Sequence, residues 1–153
     1  YLFELNDISS AANAFREAAA LPGSPEYLDA LAQRFEKPGG EYEVGLRLLN
    51  FLIGGAQKKG DLDALKGLEQ KRNSLFLAQY LFHLKASFQS YLNEQKAYRR
   101  SISLLPAEMG AYWKKFLRET GTSTRDPFGG DVSLNESGQV VSTTPHVRVF
   151  GLE

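Results

Sequence analysis

Apolar positions in residues 1–121 recur at spacings of three and four, whereas residues 125–144 switch to short β-branched runs between turn residues. The first pattern predicts helices and the second a hairpin. In residues 1–21, Ala11, Ala14, Phe15 and Ala18 share one face, Ser9 or Ser10 is the expected cap, and Pro22-Gly23 stops the helix. Ser24 is expected at the next N-cap with Pro25 in the first helical position; Tyr27, Leu28, Leu31, Ala32 and Phe35 then form one stripe. Residues 37–40 break the chain. Residues 41–58 carry Tyr42, Val44, Leu48, Leu49, Leu52 and Ile53, a stripe wide enough for a helix buried on much of its circumference, which Gly54-Gly55 should loosen or end early.

After a turn at residues 58–60, Asp61 is a good N-cap ahead of Leu62, Leu65 and Leu68. Gly67 costs that helix about 1 kcal/mol relative to alanine, so a break is expected at residues 67–74. Residues 75–98 give the strongest helical signal, with Leu77, Leu81, Leu84, Phe88, Tyr91 and Leu92 on a stripe widened by Phe76, Tyr80 and Ala86; this is the expected central core helix. Basic residues at 96–100 suit its C-terminus. Pro106 fits the first turn of a shorter helix that places Tyr112, Trp113, Phe116 and Leu117 on one face and ends at Gly121. The hairpin is then read as residues 132–134 and 139–143 around Asn135-Glu136-Ser137-Gly138, and Val147, Val149 and Leu152 predict a third short strand or an ordered extended tail. The fold class is therefore mainly α: helical hairpins on a long central helix, closed by a small antiparallel β-hairpin or three-stranded sheet.

Composition narrows function by exclusion. At 153 residues, 42% hydrophobic and 24% charged, the chain can bury a sizeable core without staples. Lysine plus arginine balances aspartate plus glutamate at 18 each, which disfavours nucleic acid and an anionic membrane surface as partners. The absence of cysteine removes disulfides, thiolate catalysis and thiolate metal sites. No apolar run approaches the roughly 18 residues of a membrane helix; the longest, residues 46–56, is interrupted by Arg47, Asn50, Gly54 and Gly55. No direct membrane insertion is expected. The chain begins at Tyr1 without an initiator methionine, so a signal peptide or anchor upstream is not readable from it.

Two stretches carry family resemblances. Ala11, Phe15 and Ala18, a proline in the following turn and a short helix-turn around Asn6-Asp7 resemble the second helix of a tetratricopeptide repeat, although Asn6 stands where that pattern has glycine. Residues 84–134 resemble the soluble part of a type II secretion major pseudopilin. In that family a long helix ends in tyrosine, a short connector helix follows, and an aspartate-proline-aromatic-glycine turn opens a small sheet. The corresponding residues are Leu84, Phe88, Tyr91 and Tyr98, the connector at 104–117, and Asp126-Pro127-Phe128-Gly129-Gly130. Departures are Arg99 in place of a proline, Gly130-Asp131 in place of asparagine-tyrosine, and a repeat-like hairpin in place of the membrane helix. The resemblance implies a bacterial chain with tetratricopeptide-like hairpins in 1–60 and a pseudopilin-like region in 61–153, expected to pack with them as one compact unit, in a periplasmic or envelope setting. The pilus subunit itself is disfavoured.

Candidate chemistry is sparse. In the DPFGG turn, Pro127 fixes φ, Asp126 can accept backbone N–H groups, both glycines permit positive φ, and Phe128 is expected to enter the core, so a structural role explains all five residues. Pseudopilins bind calcium near their C-terminal loops, and Asp126, Asp131, Asn135 and Glu136 are oxygen donors close in sequence. Calcium needs six to eight oxygens and no Asp-x-Asp loop supplies them, so solvated turn carboxylates are the preferred reading and no cofactor is expected. His83 and His146 lack the partners that a metal or acid/base role needs. No serine sits in a Gly-x-Ser-x-Gly elbow and neither glycine pair belongs to a phosphate loop, so catalysis is not expected. Arg99, Arg100, Lys114, Lys115 and Arg118 lie near Tyr98, Tyr112 and Trp113, but aromatic spacing favours core packing over a nucleic-acid face. What remains is a non-catalytic domain that binds a protein or peptide, with a self-assembling structural component, and hence a homo-oligomer, as the alternative.

Overall fold

The computed structural model describes residues 8–35, 37–97 and 106–144. They form α1 (Ile8–Ala19), α2 (Tyr27–Phe35), α3 (Gly40–Lys59), α4 (Leu62–Ala97) and α5 (Pro106–Thr120), then β1 (Val132–Leu134) and β2 (Val140–Ser142). The protein is mainly helical with a small antiparallel sheet. It folds as two compact units, Tyr1–Phe76 and Leu77–Glu153, and the division falls within α4. Among the described residues no helix is long and apolar enough to cross a membrane.

In the first unit Phe35 of α2 and Val44 of α3 are buried together, with Phe15, Leu31 and Leu48 packed against them. The rings of Phe15 and Phe35 stack at 5.4 Å. Glycine makes the α2–α3 corner: Gly39 takes a left-handed φ of 77° ahead of α3, and a Cβ on Gly40 would fall 2.8 Å from the Arg34 carbonyl carbon and closer still to its oxygen. Only glycine lets the two helices turn so tightly. Glu43 bridges the corner by pairing with Arg34 at 2.8 Å and Arg47 at 3.1 Å; exposed pairs of this kind add little stability.

Several helix ends differ from the expected ones. Ser9 and Ser10 lie inside α1, which already begins at Ile8. Ser24 does not cap α2; its hydroxyl donates to the Ala19 carbonyl at 2.5 Å and so finishes α1. Helix α2 starts at Tyr27, two residues after Pro25. Gly54-Gly55 leaves α3 intact as far as Gly60, whose φ of 69° lets its N–H and that of Asp61 return to the carbonyls of Gln57 and Ala56. Asp61 does cap α4, its Oδ1 accepting the Ala64 N–H at 3.0 Å. The helix then runs unbroken through Gly67 and Ser74. One glycine costs about 1 kcal/mol, less than the ladder on either side contributes.

The second unit is built on the later half of α4. Leu84, Phe88, Tyr91 and Leu92 are buried with Trp113 and Phe116 of α5 and Val132 of β1. Phe88 meets Trp113 edge-on at 5.0 Å and Phe116 at 5.4 Å. Aromatic packing of this geometry adds to plain area burial. Tyr112 and Leu117 pack at the margin of the same cluster, and α5 ends before Gly121 at a φ of 65°. Val132 pairs with Ser142, Ser133 with Val141 and Leu134 with Val140. The third-strand residues Val147, Val149 and Leu152 lie outside the described residues.

Candidate functional site

The DPFGG turn is the most polar buried construction of the second unit. Backbone hydrogen bonds close it in both directions: Asp126 N–H to Gly130 O at 2.9 Å, and Gly129 N–H to Asp126 O at 3.0 Å. The Asp126 carboxylate sits at the centre, buried to 5% exposure. Its Oδ1 accepts the N–H groups of Phe128 at 2.7 Å and Gly130 at 3.0 Å. Its Oδ2 accepts the hydroxyls of Ser142 and, at 2.6 Å, Thr144. Burial pushes its pKa up, but the hydrogen bonds from Ser142, Thr144 and the two backbone amides outweigh burial and hold the carboxyl below its ordinary range. The arrangement is a latch between the turn and the end of β2.

The glycines serve two different needs. Gly129 adopts a left-handed φ of 87°. Gly130 does not, but a Cβ there would lie 2.7 Å from Asp126 Oδ2 and 2.6 Å from the Thr144 amide, so close approach requires it. Phe128 does not enter the core; its side chain is 41% exposed. The short loop turns it outward because Asp126, two residues earlier, occupies the inner position. Ser142 and Thr144 escaped the sequence reading. Their signal was the hairpin register: Ser142 faces Val132 across the strands, which brings the next alternate residue, Thr144, back to Gly130.

The four calcium candidates are not gathered. Both oxygens of Asp126 are engaged as described, and Asn135 Oδ1 accepts the N–H groups of Ser137 at 3.0 Å and Gln139 at 2.9 Å in the opposite turn. The three residues of β1 separate Asp131 from Asn135, roughly 13 Å of extended chain. Asp131 instead approaches Arg125 at 3.9 Å, and Glu136 is exposed. Among the described residues there is no group of three or more His, Asp or Glu suited to hold a metal ion.

His83 is exposed and lies edge-on to Phe82 at 5.6 Å; His146, Tyr98, Arg99 and Arg100 lie outside the described residues. Trp113 is buried among Phe88 and Phe116, so its ring is not a platform for a base. Lys115 is drawn to Glu119 at 3.8 Å and Gln95 at 3.5 Å. Glu119 also accepts the Tyr91 hydroxyl at 2.8 Å, and burial together with this bond pushes the Tyr91 phenol up to about 12. That group stays protonated and acts as a donor.

A different surface stands out in the first unit. Helix α3 buries Val44, Leu49 and Ile53, yet Phe51 is 79% exposed and Leu52 48% exposed. Val44, Leu48, Phe51 and Gly55 fall on one face by helical spacing. The start of that face is covered by Phe35 at the end of α2, which has 9 residues against the 20 of α3. The periodicity of α3 showed that it is widely apolar, but not which part its shorter neighbour leaves bare. Comparisons with family models, with curated proteins and with solved structures returned no match.

Proposed function

We propose that the chain is a non-catalytic protein-binding domain whose contact surface is the exposed Phe51 and Leu52 face of α3. In this reading residues 1–60 form a tetratricopeptide-like helical scaffold. Residues 61–153 carry a pseudopilin-like region, and the protein serves a bacterial cell-envelope or secretion-related assembly. The observation that carries the reading is Phe51: a large aromatic at 79% exposure, beside half-exposed Leu52, on a helix that buries Val44, Leu49 and Ile53. Exposed apolar surface next to a packed helix pair is where a partner gains most from desolvation. The DPFGG latch has its polar groups satisfied internally, which supports a structural role for it.

The test replaces Phe51 and Leu52 by glutamate and compares capture of binding proteins from an extract of the protein's own cells. The reading expects a captured protein with the wild-type chain and its loss with the variant, helical content being equal. Capture that is unchanged overturns the contact surface. Concentration-dependent light scattering, abolished by the same variant, would instead make a second copy of the chain the partner.

A further inference from the structure

Asp126 is followed by proline, and this pair has a chemistry of its own. An ionised aspartate oxygen can attack the carbonyl carbon of the same residue, closing a five-membered anhydride. The C–N bond to proline breaks, and the proline nitrogen, part of a tertiary amide, leaves with a proton taken from acidic solvent. Water then opens the anhydride to a free Asp126 C-terminus and a new Pro127 N-terminus. Attack requires one carboxylate oxygen to swing over its own carbonyl carbon.

Here neither oxygen is at liberty to do so. Oδ1 accepts two backbone N–H groups of the turn, and Oδ2 accepts two hydroxyls of the returning strand end. The Asp126 carbonyl is itself fixed by the Gly129 N–H at 3.0 Å. The nearest charged groups on the turn, Arg125 and Asp131, approach each other at 3.9 Å and are exposed. We propose that the Asp126–Pro127 peptide bond is a latent self-cleavage site, kept intact by the hydrogen bonds that hold both oxygens of the Asp126 carboxylate. Opening the latch, by losing the Ser142 and Thr144 hydroxyls or by separating β2 from the turn, exposes the bond to its own side chain. Cleavage there ends the covalent link between the helices and residues 127–153, which include β1 and β2.

The experiment incubates the full-length chain at about pH 4, near the ordinary carboxylate range, and follows intact mass with time. Wild type is compared with Ser142→Ala/Thr144→Val, both verified as helical by ellipticity. The expected result is fragments 1–126 and 127–153, appearing about tenfold faster in the variant, as the loss of hydrogen bonds to a charged acceptor implies. Asp126→Glu, which cannot close the five-membered ring, should abolish these fragments in either background. Should the double variant not fold, Thr144→Val alone takes its place with the same expected direction. Equal rates in wild type and variant, or the same fragments from Asp126→Glu, overturn the proposal.

Discussion

In α1–α3 the close contacts are apolar and the polar groups sit at helix ends, whereas in residues 121–144 a carboxylate occupies the middle of the construction. The first region is fixed by the Phe35 and Val44 contact and by a glycine corner. It leaves Phe51 and Leu52 in the open. The second region has three-residue strands that could not persist by themselves. It is fixed by an aromatic cluster beneath it and by the buried Asp126 carboxylate at its centre. The difference teaches that a short sheet can be ordered by satisfying one buried charge many times, while a helix pair can be ordered by shape and still leave apolar surface open to solvent.

The largest expected effect is at the glycine corner. Gly40→Ala forces a methyl group onto the Arg34 carbonyl, and overpacking against backbone should cost about 3 kcal/mol. Urea unfolding followed by ellipticity, with hydrogen exchange localised to α2 and α3, measures it. A loss below that of an ordinary surface change would show that the corner relaxes freely.

Next comes the latch. Asp126→Ala strands two amides and two hydroxyls and should destabilise the second unit by about 2 kcal/mol, read from the fluorescence of Trp113 during urea unfolding. Because the folded carboxyl is held below its unfolded value, its contribution is complete above the ordinary carboxylate range. It is lost as pH falls from about 4 through the depressed folded value. The difference between wild type and variant should therefore shrink in acid. A difference that grew in acid would reverse the assignment.

Two smaller effects sharpen the contrast. Gly67→Ala should stabilise α4 by about 1 kcal/mol, since a Cβ there meets nothing within 4 Å. Phe51→Glu/Leu52→Glu should shift the melting free energy by no more than about 0.5 kcal/mol, because side chains this exposed do little for the fold. A large loss of stability in that variant would mean that the face is part of the packing.

Local chemistry carried much of this fold into the sequence. Asp61 as a cap, Gly121 as a stop, the Trp113 and Phe116 face and the Asn135–Gly138 turn all act within a few residues of themselves, so spacing sufficed. What escaped depends on partners brought from afar. Ser142 and Thr144 reach Asp126 across 16 and 18 residues. Ser24 had two helix ends to choose between and took the earlier. Phe128 was displaced outward by a carboxylate whose burial no hydropathy pattern announces. The bare part of α3 is legible only when the lengths of α2 and α3 are set side by side.

The most direct test of this division of labour is photocrosslinking in cells with a photoreactive residue at position 51, set against the same residue at exposed position 83. A covalent adduct to another protein chain at position 51 and none at position 83 is the predicted result. Adducts at neither position, or equally at both, would contradict the assignment of binding to α3.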